Sequence, residues 1–456
     1  MDQDPEARNG RVGNTEQPGN QLQRSNHGQK HCRVKLSVAA SANSASPGRI
    51  AFSYPNFTAY VSARFFVVVA LEMQSVAVGW QVYETTKRPL DLGLVGLAQF
   101  LPGILFFLPA GHAADQFDRR LLLTLSYAGY GLCSGLLLAI ALSGTHAVAL
   151  IYGAVALLGL MRAFSFPASR ALLPQLVPAA HFSNAVAWHS SIFQAATILG
   201  PTVGGLVYAL AHGPAPVYAT AGLIALGAVA SMLRIQVREK ARPQQPLSLA
   251  SVLVGFRYIW QHKLLLGSVT LDLFAVLLGG AVALLPVYAR EILHTGPWGL
   301  GLLRSAPGVG AGIMAVLIAH RPLKSRAGPT MLWCVAGFGI FTILFGLSRN
   351  LVLSLVALLL VGACDMVSVV IRAILIQLGT PDEMRGRINA VDMLFIGASN
   401  QLGEFESGLT AHWFGTVPAV VLGGVGTLVI IAIWAWKFPE LRQPNPLATE
   451  LEPAES

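Results

Sequence analysis

Ala110-Gly111-His112-Ala113-Ala114-Asp115-Gln116-Phe117-Asp118-Arg119-Arg120 is the stretch whose reading decides how this chain folds. It sets a glycine, two acids and paired arginines between two long apolar runs, residues 92–108 upstream and 121–142 downstream. At a rise of about 1.5 Å per residue, each run crosses or nearly crosses a hydrocarbon core about 30 Å thick. The stretch therefore reads as a hairpin at a membrane surface. Gly111 lets two helices approach, Asp115 is expected at the positive N-terminal end of the following helix, and Arg119 with Arg120 marks the cytoplasmic side.

Composition extends that reading to the whole chain. Of 456 residues, 54% are hydrophobic and 12% charged, and the mean hydropathy is +0.58. So little charge does not cover a water-soluble surface of this size. Apolar segments run over residues 57–83, 92–108, 121–142, 147–166, 185–210 and 217–233, and after a polar connection over 264–288, 298–318, 330–347, 351–371, 390–412 and 417–436. The expected fold is all-α and integral to the membrane, with twelve transmembrane helices in two six-helix bundles, residues 57–234 and 264–437. Residues 1–56 read as a disordered polar tail, 235–263 as a central loop and 438–456 as a C-terminal tail.

The net charge of +9 forms no basic stripe with interleaved aromatics, so nucleic acid is not an expected partner. It is distributed by membrane side instead. Arg119, Arg120, Arg170, Arg234, Arg238, Lys240, Arg242, Arg257, Lys263, Arg321, Lys324, Arg326, Arg385, Arg387, Lys437 and Arg442 fall in one set of loops, against Lys87, Arg88, Arg290 and Arg349 in the other. The positive-inside rule then puts both termini in the cytoplasm. Cys32, Cys133, Cys334 and Cys364 form no CxxC pair, and His27, His31 and Cys32 lie in a polar tail, so no metal site or disulfide framework is expected.

The two halves repeat each other. Val82-Tyr83 recurs as Val287-Tyr288, Gly96-Leu97 as Gly301-Leu302 and Pro102-Gly103 as Pro307-Gly308, each 288 − 83 = 205 residues on. RALLPQL at 170–176 returns as RAILIQL at 372–378, and the LGxxxxGL of 199–206 returns at 402–409. Parallel halves related by an axis along the membrane normal place a substrate site between them near mid-bilayer. The same offset sets His320 opposite Asp115 and Lys324 opposite Arg119, so the second copy of the hairpin lacks the acid.

The GxxxDxxxRR spacing of Gly111, Asp115, Arg119 and Arg120, with Asp118 inside it, resembles the loop between the second and third helices of the major facilitator superfamily. Gln116 stands where that family usually has Arg, and Asp118 where it usually has Gly. Gly200-Pro201-Thr202-Val203-Gly204-Gly205 looks like the fifth-helix motif of the superfamily's proton-driven exporters. Pro381-Asp382-Glu383-Met384-Arg385-Gly386-Arg387-Ile388-Asn389-Ala390 narrows the likeness to the branch with the bacterial enterobactin exporter and related drug exporters. The resemblance spans residues 57–437 and implies alternating access, with the 111–120 loop as a gate. It places the chain in the bacterial inner membrane as a monomer.

Ionisable residues inside spans are the site candidates, because a mid-bilayer charge costs roughly 2.5–3.5 kcal/mol on insertion scales. Glu72 is the most central, with Arg64 two turns earlier, Arg162 in the fourth span, Asp272 in the seventh, and Asp365 with Arg372 in the tenth. Asp392, Ser399 and Glu406 recur at sevens down the eleventh span, with Asn400 and Glu404 on a neighbouring strip. Each residue alone is also compatible with a helix-packing hydrogen bond or a snorkelling end charge. The leading reading is a proton-coupled exporter of a small amphipathic molecule, siderophore or drug-like, with protons passing Glu72, Asp272 or Asp365. An uptake or lipid-handling permease on the same fold remains open, as does a membrane enzyme, for which no convergent catalytic set is visible. No cofactor motif is present. Tags placed after Glu84 or within residues 290–296 should be labelled from outside intact cells and tags within 243–251 should not; external labelling of the central connection would overturn the topology.

Overall fold

The computed structural model describes residues 47–236, 249–321 and 327–443. Lys324, the histidines and cysteine of the N-terminal tail, and most of both tails lie outside the described residues. Of the N-terminal unit, residues 1–49, only three positions are described; everything below concerns the second unit, residues 50–456.

All regular structure among the described residues is helical. α1 spans Pro55–Thr86, α2 Pro89–Leu105, α3 Phe107–Gln116, α4 Arg119–Leu142, α5 Val148–Leu176, α6 Phe182–Leu210 and α7 Ala215–Arg234. After α8, Leu249–Gln261, come α9 Lys263–Gly279, α10 Gly296–His320, α11 Ala327–Leu347, α12 Leu351–Leu378, α13 Asp382–Phe414 and α14 Thr416–Lys437. Ends are marked by local chemistry. Pro55 and Pro89 open α1 and α2 where a missing N–H costs nothing. Asn350 caps α12 by accepting from the Val352 and Leu353 amides at 2.9 and 3.2 Å.

Ten helical segments are long and apolar enough to cross a bilayer alone, and the bent pair α2 and α3 makes an eleventh. α13 is the remaining candidate at 33 residues, its apolarity lowered by Asp392, Glu404 and Glu406. Three details differ from the sequence reading. The second span is broken by 51° between α2 and α3, because Pro109 has no N–H for the Leu105 carbonyl four residues back and its ring crowds that turn. The seventh span is irregular after Gly279, passing through a short 3-10 turn at Ala281–Leu284 and a π turn at Tyr288–Ile292. Within the connection read as loop, α8 forms an amphipathic helix that exposes Leu253, Phe256 and Trp260 while Gly255 packs on Arg387 of α13.

The bundles meet along two seams, α2 on α13 and α6 on α10. Glycines make both. A Cβ on Gly205 would lie 3.0 Å from the Gly301 Cα, and one on Gly408 would lie 2.8 Å from the Gly93 Cα. Gly205 and Gly408 are equivalent positions of the repeated LGxxxxGL, so the internal repeat is also a repeat of the seam. Ser305 Oγ donates to the Ile198 carbonyl at 2.6 Å beside it, and Gln194 Nε2 donates to the Gly308 carbonyl at 3.0 Å.

Packing differs between the two ends. At one end a single apolar core is shared by both halves, joining Val76, Trp80 and Tyr218 to Leu284, Tyr288, Leu300 and Phe345. At the other end there are two cores. One, around Tyr60, Leu123, Leu172 and Met232, belongs to the first half, and the other, around Leu264, Val269, Ile371 and Leu441, belongs to the second. The halves are thus closed on each other at the end carrying Glu84 and Arg290 and parted at the end carrying Asp115 and Arg385. Gly205→Leu or Gly408→Leu inserts volume into a seam, an overpacking that costs about 1–3 kcal/mol. Either should shift the population several-fold toward separation at the shared-core end, read as increased labelling of a cysteine at Ser75 from that side; unchanged labelling would show that the seam does not set closure.

Candidate functional site

Between the bundles lies a cavity of about 270 Å³, just below the roughly 300–1,000 Å³ of ordinary ligand pockets. Its polar wall is Glu72 and Ser75 from α1, Gln99 from α2, Arg162 from α5, Arg304 from α10, and Asn400, Gln401 and Glu404 from α13. Two arginines face two glutamates. Arg162 Nη1 donates to Gln99 Oε1 at 3.4 Å, and the positive charges acting on Glu404 are Arg304 and Arg162. Glycines bring the helices close enough for this. A Cβ on Gly96 would meet Glu404 Oε2 at 2.7 Å, and one on Gly200 would meet the Cβ of Glu72 at 2.5 Å. In the broken seventh span Ala283 and Pro286 line the cavity, and the freed Gly280 carbonyl accepts from Ser407 Oγ at 2.7 Å. No aromatic residue lines the cavity among the described residues, so it suits a polar, hydrogen-bonding ligand.

The shared-core end is closed over the cavity by a polar cluster that joins the halves. Arg290 Nη1 bonds Glu84 Oε1 at 3.1 Å, Tyr83 donates to Glu291 at 2.6 Å, and Tyr208 donates to Glu84 at 3.3 Å. Arg290 also lies 5.7 Å from the centre of the Trp80 ring. The Arg290–Glu84 pair is partly exposed and contributes a fraction of a kcal/mol to about 1 kcal/mol, while Tyr83 and Tyr208 donate from buried positions. Together they bias closure.

Four further candidates, Asp272, Asp365, Arg372 and Asp392, sit within the second bundle, not in the cavity. Arg372 of α12 is 3% exposed; it donates to Asp272 of α9 and approaches Asp392 of α13 at 3.5 Å. Asp365, two turns earlier on α12, lines a separate small void with Asp272 and Ser368. The acids at seven-residue spacing on α13 therefore part company. Asp392 turns to Arg372, Ser399 bonds its own helix at Ile396, and Glu406 accepts from Thr410 at 2.7 Å, while Asn400 and Glu404 reach the cavity.

Arg64 belongs to neither group. Its Nη1 donates to Ser169 Oγ at 2.5 Å, beside Tyr60 and His189, and its charge lies 5.4 Å from the Phe193 ring centre. In the exporter-type motif, Gly200 and Gly204 pack on α1 and Gly205 on α10, which explains the paired glycines without invoking a kink; α6 runs unbroken through Pro201.

The hairpin corrects one expectation. Asp115 lies in the last turn of α3, and the N-cap of α4 is Asp118, which accepts from the Arg120 amide at 2.8 Å. A two-residue link after α3 leaves Asp118, not Asp115, at the start of the next helix. Arg120 binds the Met232 and Leu233 carbonyls at the end of α7, at 3.1 and 2.5 Å, and Arg119 reaches the Ala171 carbonyl at 3.4 Å. Both arginines satisfy carbonyls within the first bundle. Asp115 is half-buried and bonds no described residue. Gly111 is buried.

Sequence reading missed Arg304, Gln99 and Gln401 in the cavity and the Tyr83, Glu84, Glu291 cluster at its closed end. Arg304 carried a usable signal, being a charge within an apolar span near Gly301, the repeat partner of Gly96. The gate cluster carried none, since loop charges look alike until the halves are docked.

The fold is that of the major facilitator superfamily. A solved bacterial homologue of the human lysosomal transporter Spinster, inward-facing and unoccupied, superposes with a TM-score of 0.67 at 13% identity, covering 85% of this chain and 98% of that one. A D-xylose–proton symporter superposes at 0.66 with 15% identity, covering 84% and 98%. Residues 51–453 match the family model described as transmembrane secretion effector, and the chain belongs to that family. Similar proteins include the enterobactin exporter EntS of Shigella flexneri, 28% identical over 86% of this chain and 93% of its own length. The staphyloferrin A transporter of Staphylococcus aureus (strain NCTC 8325 / PS 47) is 23% identical over 82% and 94%.

Removing one partner of a buried ion network leaves uncompensated charge, at a cost of about 3–5 kcal/mol. Arg372→Ala should therefore markedly lower the thermal stability of the purified protein, and adding Asp272→Asn should restore part of it. A double variant no more stable than Arg372→Ala would show that the pairing is not what stabilises this part of the bundle.

Proposed function

We propose that this protein is a secondary active exporter, moving a small polar molecule out of a bacterial cell across the inner membrane in exchange for protons. The observation that carries the reading is the unequal packing of the two ends, one core shared and the other divided, around a charged cavity between the halves. With both termini cytoplasmic, the parted end faces the cytoplasm and the end bound by Glu84 and Arg290 faces out. Rocking of the halves then exposes the cavity alternately. The direction of transport is supported by the relative named as an enterobactin exporter and by the family's description.

The cavity supplies both kinds of charge, so Arg162 and Arg304 hold acidic or phenolic oxygens of a substrate while Glu72 and Glu404 accept its donors. Siderophores offer both. The protein works as a monomer in this reading, since both halves of the pathway come from one chain. Asp115, which bonds no described residue in the state with a parted inner end, is assigned as a latch that gains a partner when that end closes.

The test is transport in proteoliposomes with enterobactin and staphyloferrin A as first substrates. An imposed inward proton gradient should increase efflux several-fold over the ungraded control, and Arg304→Ala should abolish it while leaving the protein folded. Transport indifferent to the gradient would remove proton coupling; gradient-driven accumulation in the opposite direction would favour the uptake permease.

A further inference from the structure

The second bundle holds a set of charges that the cavity does not explain. Asp272, Asp365 and Asp392 surround a single Arg372, a formal excess of two negative charges. Asp272, Arg372 and Asp392 are 5%, 3% and 7% exposed. Asp365 and Asp272 line a void of about 10 Å³ between α9, α11 and α12, the size that admits about one water molecule. Ser368, one turn from Asp365 and 3% exposed, lines the same void, and its Oγ has no hydrogen-bond partner among the described residues. A buried hydroxyl without a partner beside a water-sized space indicates that something polar occupies it. Among the described residues no three acidic, histidine or cysteine groups converge as metal ligands. A carboxyl held neutral by a proton would offset one of the two excess charges without a metal.

The cluster reaches the other bundle through Asp392. Its Oδ1 makes no hydrogen bond among the described residues and lies 3.5 Å from Arg372 Nε. The next residue, Met393, touches Arg170 of α5 across the parted end, with Arg170 Nη2 3.6 Å from the Met393 sulfur. Arg170 is a charge of the first bundle that acts on Asp392. The other groups acting on Asp365 are Asp272 of α9 and Arg372 of its own helix, with Cys364 beside it and Cys334 of α11 acting on Cys364; Arg304 of α10 and Glu404 of α13 line the central cavity instead.

We propose that Asp365 is the residue that carries the exchanged proton, and that Arg372 relays its charge to Asp392, which pairs with Arg170 to close the cytoplasmic end when Asp365 is ionised. This rests on the exporter reading and assigns its proton. With the proton bound, Arg372 is shared by Asp272 and Asp392, as observed, and the inner end is parted. When Asp365 gives its proton to water in the void, the new carboxylate on α12 draws Arg372 away from Asp392. Asp392 is then free for Arg170. Protonation thus favours the inward-facing state, in which the proton is released and substrate loaded, the order exchange requires.

The relay can be tested without substrate. Spin labels on p-acetylphenylalanine at Leu121 and Leu378, exposed positions near the parted ends of the two halves, leave the native cysteines in place. Pulsed electron–electron resonance on the full chain in liposomes should show the longer distance at about pH 5.5 and a new shorter population at about pH 8.5, a range wide enough to titrate a perturbed carboxyl. Asp365→Asn should hold the longer distance at both values, and Asp365→Glu should keep the change. Arg170→Ala, at an exposed side chain, should lose the shorter population to the same extent as Asp392→Asn, with the double variant no worse than either. Glu72→Gln should keep the change. A pH response that survives Asp365→Asn, or losses from Arg170→Ala and Asp392→Asn that add, would overturn the relay while leaving proton-driven export standing. Absence of gradient-driven transport with the distance change intact would instead defeat the exporter reading and not the relay.

Discussion

Close approach of helices at glycine is the constraint on which the rest of this structure depends. In hydrocarbon there is little hydrophobic gain from bringing two apolar helices together, so association rests on van der Waals contact and on hydrogen bonds that lipid cannot supply. Gly205 against Gly301 and Gly408 against Gly93 provide the first. The Ser305 bond to the Ile198 carbonyl and the Gln194 bond to the Gly308 carbonyl provide the second. Both kinds of contact favour the end and middle of the seams. At the other end the helices diverge and the apolar side chains pack into separate cores, each confined to its own half.

The same geometry decides where charge is tolerated. A lone carboxylate or guanidinium in a span must find a partner or a wet cavity. Glu72, Arg162, Arg304 and Glu404 meet this condition by facing one another across the space that the seams leave open. Asp272, Arg372 and Asp392 meet it by pairing inside one bundle. The two sets differ in what they can do. Charges that face the cavity can exchange their partners for a ligand, whereas charges locked within a bundle respond to a ligand only through their neighbours.

How much of this was legible beforehand varies from residue to residue. Span positions, the two halves and the glycines of the repeat could be read directly, because an apolar run of given length has few options in a membrane and a repeated LGxxxxGL marks a repeated contact. Glu72, Arg162, Asn400 and Glu404 were recognisable as candidates by being costly where they stand. Their division from Asp272, Asp365 and Asp392 was not, since all are acids or bases in apolar helices and one-dimensional spacing does not say which helix each will face. Asp115 was placed one helix too far along: both it and Asp118 are acids near a helix start, and only the actual end of α3 decides which caps α4.

What the sequence by itself determined is therefore the all-helical membrane fold, its two-fold internal repeat and its kinship, since the need to satisfy every backbone group within the bilayer leaves a chain of this composition no other architecture. Only the tertiary structure decided which charges share a cavity, that Arg304 joins them, that Tyr83, Glu84, Arg290 and Glu291 bind one end shut, and that Asp392 turns to Arg372 and not toward the cavity. Each of these depends on the rotation of a helix about its own axis and on the docking of one half against the other. Those quantities are set by contacts between residues on different helices, such as Glu84 with Arg290 and Gly96 with Glu404, which no local pattern encodes.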